Sequence, residues 1–60
     1  METEFVKGLV DQFGIPVRDA RAMERLNNEV EAFKNLKVTV PEHVLAELQA
    51  LQSRYQNVMS

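Results

Sequence analysis

The sequence predicts an all-α protein: an antiparallel helical hairpin with a short N-terminal helix folded across it, three helices in total, and a short extended segment at 36–39. Two observations carry that class. Apolar residues recur at steps of three and four along two long stretches, Met23/Leu26/Val30/Phe33 and Val44/Leu48/Leu51/Tyr55/Val58, which is the spacing of a coiled-coil-like seam. The link between the two stretches is short, so the second must fold back along the first. With 60 residues, 45% hydrophobic and 27% charged, the chain is expected to form a single small helical domain over 1–60.

The first helix is expected over Glu2 to Phe13. Phe5, Val6, Leu9, Val10 and Phe13 share one side, and Glu2 and Glu4 lie in the first turn, where the helix dipole favours acids. Gly14 followed by Ile15-Pro16 is a stop signal, with glycine free to take the left-handed conformation at the end of a helix. Gly8 inside this helix costs about 1 kcal/mol relative to alanine. Either the helix tolerates it, or another backbone approaches closely there. Pro16 then suits the start of a second helix over Val17 to Lys34, with Asp19 in its opening turn. A third helix is expected from Thr39 or Val40 to about Val58. It opens on a capping box, Thr39-x-x-Glu42, with Pro41 tolerated in the first turn.

Between helices two and three, "LKVT" puts Leu36 and Val38, followed by Val40, on one face, with Asn35, Lys37 and Thr39 on the other. Such alternation is a strand signal. A lone strand needs a hydrogen-bonding partner, so it would pair with the same segment of a second copy; otherwise the segment is an extended loop whose valines plug the end of the hairpin.

A domain this small buries only about 60% of the surface its unfolded chain exposes, and its folding balance comes out near zero. No cysteine is present to form a disulfide, and one histidine, His43, offers no zinc site. Homodimerisation through the seams Met23, Leu26, Val30 and Phe33 with Val44, Leu48, Leu51 and Tyr55 is the expected remedy. No apolar run approaches the ~18 residues of a membrane span, and the opening "METEF" lacks the basic start of a secretory signal, so a cytoplasmic location is expected.

Catalysis finds no foothold. His43 has no nucleophile beside it in the sequence, Ser53 belongs to a helix flank, and Glu29 and Glu31 point to different sides of their helix. No phosphate-cradling glycine loop occurs, and neither metal nor cofactor is expected. The polar features are two stripes at i, i+3, i+7. Arg18, Arg21 and Arg25 lie away from the apolar seam of the second helix, where guanidinium groups can grip carboxylates or phosphates. Gln49, Gln52 and Gln56 flank the seam of the third, where amides can hydrogen-bond across an interface. The expected function is that of a non-enzymatic regulatory or adaptor protein binding another protein through these faces. The alternative is a dimeric DNA-binding regulator. Net charge −2 weighs against general binding of nucleic acid.

Two stretches resemble known DNA-binding motifs. "KVTVPEHVLAELQAL", Lys37 to Leu51, resembles the strand and first helix of ribbon-helix-helix proteins, in which paired strands of two copies read the major groove. That resemblance would make Lys37 and Thr39, with Asn35 at the edge, the DNA-reading residues. Only nine residues follow Leu51, where that family has a turn and a second helix. "LVDQFGIPVRDARAMERL", Leu9 to Leu26, resembles a helix-turn-helix with Gly14 in the turn and the three arginines on the recognition helix. The sequence assigns the chain to neither family.

Overall fold

A computed structural model describes residues 2–59, with the side chain of Met59 outside that description. The order is α1 (Glu4–Phe13), α2 (Val17–Asn35), α3 (Glu42–Arg54) and a single closing turn, α4 (Gln56–Met59). No strand occurs among the described residues. At 1.5 Å rise per residue α2 is about 28 Å long, which nearly fills the 33 Å long dimension of the 33 × 25 × 17 Å molecule. The other elements are laid along it. The radius of gyration, 12.0 Å, exceeds the about 10 Å expected for a compact domain of this length. A molecule 17 Å thin has no third layer, so each helix keeps one face in water.

The helix ends follow from particular residues. Thr3 is the N-cap of α1, its hydroxyl accepting the Val6 N–H at 3.2 Å. The same hydroxyl donates to Glu24 of α2, so the cap also ties the first helix to the second. Gly14 takes the left-handed conformation, φ 69°, and its N–H reaches the Val10 carbonyl at 3.0 Å. This lets Ile15 turn inward, where it is 1% exposed. Gly8 meets nothing within 4 Å where a Cβ would stand, so helix tolerance, not a close backbone approach, accounts for it.

Proline sets both later helix starts in the same way. Pro16 (φ −55°, ψ 142°) and Pro41 (φ −59°, ψ 143°) each hold the N-cap position, one residue earlier than the first helical position. Their carbonyls accept the first helical bonds, Ala20 N–H to Pro16 at 2.9 Å and Leu45 N–H to Pro41 at 3.3 Å. Neither has a side-chain cap, so the expected capping box of Thr39 and Glu42 does not form. With Pro41 at the N-cap, Thr39 stands two residues too early to reach the first turn.

The expected extended segment at 36–39 is also replaced. Leu36 keeps a helical conformation (φ −84°, ψ −3°), and Lys37 takes the left-handed one, φ 59°. The Val38 N–H then returns to the Phe33 carbonyl at 3.0 Å and the Lys37 N–H to Lys34 at 3.0 Å. Those two bonds make a Schellman motif, with lysine where glycine is usual. A left-handed residue reverses the chain and breaks strand alternation: Leu36 is 72% and Val38 53% exposed, and only Val40 packs on the core. The ribbon geometry that would make Asn35, Lys37 and Thr39 groove readers is therefore absent, since Asn35 closes α2 and Lys37 is not extended.

The core has two parts. Val6, Leu9, Ile15, Ala20 and Met23 join α1, the corner and the first half of α2. Leu26, Val30 and Val44 join the rest of α2 to α3. Leu51 packs against both. The heptad seams are thus satisfied within one chain: Met23, Leu26, Val30 and Val44 are buried, and Leu48, Leu51, Tyr55 and Phe33 half-buried. The seam ends at Tyr55, whose backbone (φ −112°, ψ 18°) leaves the helix. The following turn no longer continues the stripe, and Val58 is 50% exposed.

Candidate functional site

Two surface features and one part-buried cluster gather most of the polar side chains that the fold organises. Along the outer face of α2, Arg18, Arg21 and Arg25 stand together with Val17 and Ala22 around a shallow depression of about 590 Å³. Helical spacing brings them there: residues three and four apart share a face, and the inner faces of α2 are taken by α1 and α3. The arginines differ in what they touch. Arg25 pairs with Glu47 of α3 at 3.8 Å, and Arg18 lies 4.0 Å from the carboxylate of neighbouring Asp19. Arg21 makes no ion pair among the described residues. Exposed ion pairs of this kind contribute little stability, about 0–1 kcal/mol each, so these guanidinium groups can change partners readily.

Gln49 and Gln52 of α3 and Gln56, which opens α4, line a second, smaller depression of about 280 Å³ together with Ser53. The glutamine stripe and the arginine stripe are each gathered in one place, as their spacing predicts. They line separate depressions and do not form a joint site.

The part-buried cluster joins Tyr55 of the seam to Asp19 and Arg54, which the sequence pattern does not single out as a site. Asp19, 7% exposed, accepts hydrogen bonds at one carboxylate oxygen from the Tyr55 hydroxyl and from Arg54, the latter at 3.2 Å. The Tyr55 hydrogen bond, aided by Arg54, holds the Asp19 carboxyl below its ordinary value against the opposing effect of desolvation. The same bond, by keeping the phenol protonated beside an anion, raises Tyr55. No buried side-chain polar atom lacks a partner among the described residues. A signal was present in the sequence. Asp19 precedes Met23 by four residues, which puts a charge on the apolar seam itself. Two antiparallel seams that set Met23 against Leu51 and Leu26 against Leu48 also set Asp19 against Tyr55. A carboxylate at a seam position demands a donor opposite, and the only tyrosine of the chain stands there.

His43 and Ser53 are both exposed, at opposite ends of α3. Among the described residues no group of three or more His, Asp or Glu side chains gathers to hold a metal ion. Among the described residues no helix is long and apolar enough to cross a membrane. Comparison of the chain with protein-family models, with curated proteins and with solved structures finds no match.

Proposed function

We propose that this chain is a small non-enzymatic regulatory or adaptor protein that binds another protein through exposed helix faces, with the outer face of α2 as its principal contact. The observation that carries the reading is the gathering of Arg18, Arg21 and Arg25 around one depression on a helix whose inner side is packed against α1 and α3. Arginines at protein interfaces supply planar, multidentate contacts to carboxylates and carbonyls, and they are frequent among the residues that dominate binding energy. The glutamine face formed by α3 and the closing turn α4 is the secondary contact, suited to the polar rim of such an interface.

Self-association is the other part of the reading. Because the heptad seams are filled within the chain, a homodimer would use the apolar residues that stay outside, chiefly Leu36, Val38 and Leu45. Light scattering coupled to gel filtration over a range of concentration tests this part; a strictly monomeric mass throughout would remove the dimer.

The partner-binding reading is tested in the cell that makes the protein. A photo-crosslinking residue is placed at Ala22 inside the arginine face, and at exposed Glu31 on another side of α2 as control. A discrete adduct to another protein from position 22, missing from position 31 and lost with Arg18→Glu/Arg21→Glu, is the expected result. Adducts to nucleic acid from position 22 would move the function to the DNA-binding alternative, and no adduct would end both.

A further inference from the structure

The depression on α2 restricts what can occupy it in charge, spacing and apolar content. Resting on the role of that face as a protein contact, we propose that the partner presents an acidic amphipathic helix, in which carboxylates spaced at three, four or seven residues flank an apolar side chain. Arg18 to Arg25 covers two helical turns, about 10 Å along the axis at 1.5 Å per residue. A second helix lying alongside repeats its own side chains with the same period, so carboxylates at i, i+3 or i+4, and i+7 meet successive guanidinium groups. The chain already contains one example: Glu47, delivered by the neighbouring helix α3, sits 3.8 Å from Arg25. Val17 and Ala22 line the same depression and provide short apolar surface beside the cations, where an apolar residue of the partner can be buried. A carboxylate-bearing helix therefore matches the depression on all three counts.

Duplex nucleic acid fits less well. Affinity for a phosphate backbone grows with the number of phosphates neutralised, and Arg25 and Arg18 already lie near the carboxylates of Glu47 and Asp19. Glu29, one turn beyond Arg25, adds an exposed negative charge at the end of the stripe, on a chain of net charge −2.

The test uses the full chain and labelled synthetic peptides in fluorescence anisotropy. One peptide carries glutamates at i, i+3 and i+7 around leucine, a second replaces them by glutamine, and a third by lysine; a random-sequence DNA duplex is the fourth probe. The acidic peptide is expected to bind best and to lose roughly tenfold on replacement of its glutamates, each exposed ion pair contributing modestly and three acting together. Arg18→Glu/Arg21→Glu should reverse the preference towards the lysine peptide, with an unchanged circular dichroism spectrum because both side chains lie outside the core. Glu47→Gln, which releases Arg25, should tighten binding of the acidic peptide severalfold. Equal binding of the acidic and glutamine peptides, failure of the charge reversal to swap preference, or tighter binding of the duplex would each overturn the proposal. If the acidic peptide fails while crosslinking from position 22 still captures a protein, the protein-binding face stands and only the chemistry assigned to its partner falls.

Discussion

The two ends of the α2–α3 hairpin are built on different principles. At the open end, where the chain does not connect the helices, Asp19 of α2 accepts bonds from Tyr55 and Arg54, and α1 covers the adjoining Ile15, Ala20 and Met23. At the turn end, Leu36 and Val38 lie in solvent and Lys37 holds a left-handed backbone without a glycine. The difference has a simple origin. The connecting segment already keeps the turn end together, because closing so short a loop limits separation of the helices. Nothing covalent does so at the far end, where a helix of 13 residues is too short to be stable alone and would fray. Specific side-chain interactions are concentrated where the chain itself supplies no constraint.

The largest effect should come from removing apolar volume at the open end. Met23→Ala or Ile15→Ala, each at a site at most 3% exposed, should destabilise the domain by about 2–5 kcal/mol, measured by urea denaturation. For a domain of this size that is enough to leave it largely unfolded. Leu36→Ala should change stability by less than about 0.5 kcal/mol, as expected of a mostly exposed residue. If the two ends responded equally, the contrast between them would be wrong.

Next comes the polar lock. Asp19→Asn keeps the shape of the side chain and removes the charge that Tyr55 and Arg54 bond, so the melting temperature at neutral pH should fall. Because the folded-state pKa of Asp19 is lowered, its contribution is complete above the ordinary carboxylate pKa and disappears as pH falls through the lower folded value. Tyr55 behaves in the opposite sense: its pKa is raised, so its share is complete below the ordinary tyrosine value and is lost as pH rises through the folded one. The difference in melting temperature between wild type and Asp19→Asn should therefore be broad across neutral pH and should close in strong acid. A difference that stayed constant down to the lowest pH would show that ionisation of Asp19 has no part in the lock.

Legibility in the sequence divides along the same line. Helix class and the pairing of α2 with α3 are periodic properties, and they can be read from steps of three and four. The arginine face is periodic too. What escapes depends on single backbone conformations or on pairs distant in sequence. Nothing in "LKVT" announces that Lys37 will turn left-handed, because lysine does so at a cost that only the tertiary context repays. Thr39-x-x-Glu42 has the composition of a capping box, but Pro41 takes the N-cap and sets the start of α3. Ala20 is wholly buried against α1, yet a small residue adds little to an apolar pattern. Asp19 reads as an acid in a first turn; its seam position becomes meaningful once the antiparallel register of α3 is known.

A smaller effect of opposite sign sharpens the account of the turn. Lys37→Gly should stabilise the protein by about 1 kcal/mol or less, since a left-handed residue with a Cβ costs roughly 1–2 kcal/mol and glycine recovers this less its own greater flexibility when unfolded. The φ of 59° and the two Schellman bonds from Lys37 and Val38 are the structural basis of that expectation. Destabilisation on this change would mean that the lysine side chain makes a contact worth more than the strain it imposes.

The smallest expected effect bears on self-association. Leu36→Ser/Val38→Ser removes apolar surface that is already more than half in water, so a monomer should lose no more than about 0.5 kcal/mol. In a dimer that covers these residues, the same change would expose the partner's apolar surface as well, and the loss would grow with protein concentration because dissociation and unfolding are then linked. Melting temperatures of both proteins over a wide concentration range separate these cases. A small, concentration-independent difference would leave the turn end as ordinary solvent-facing surface, loosely packed because the chain holds it closed. A difference that widens as the protein is concentrated would show that a second copy covers Leu36 and Val38, and that both ends of the hairpin are held by side-chain contacts after all.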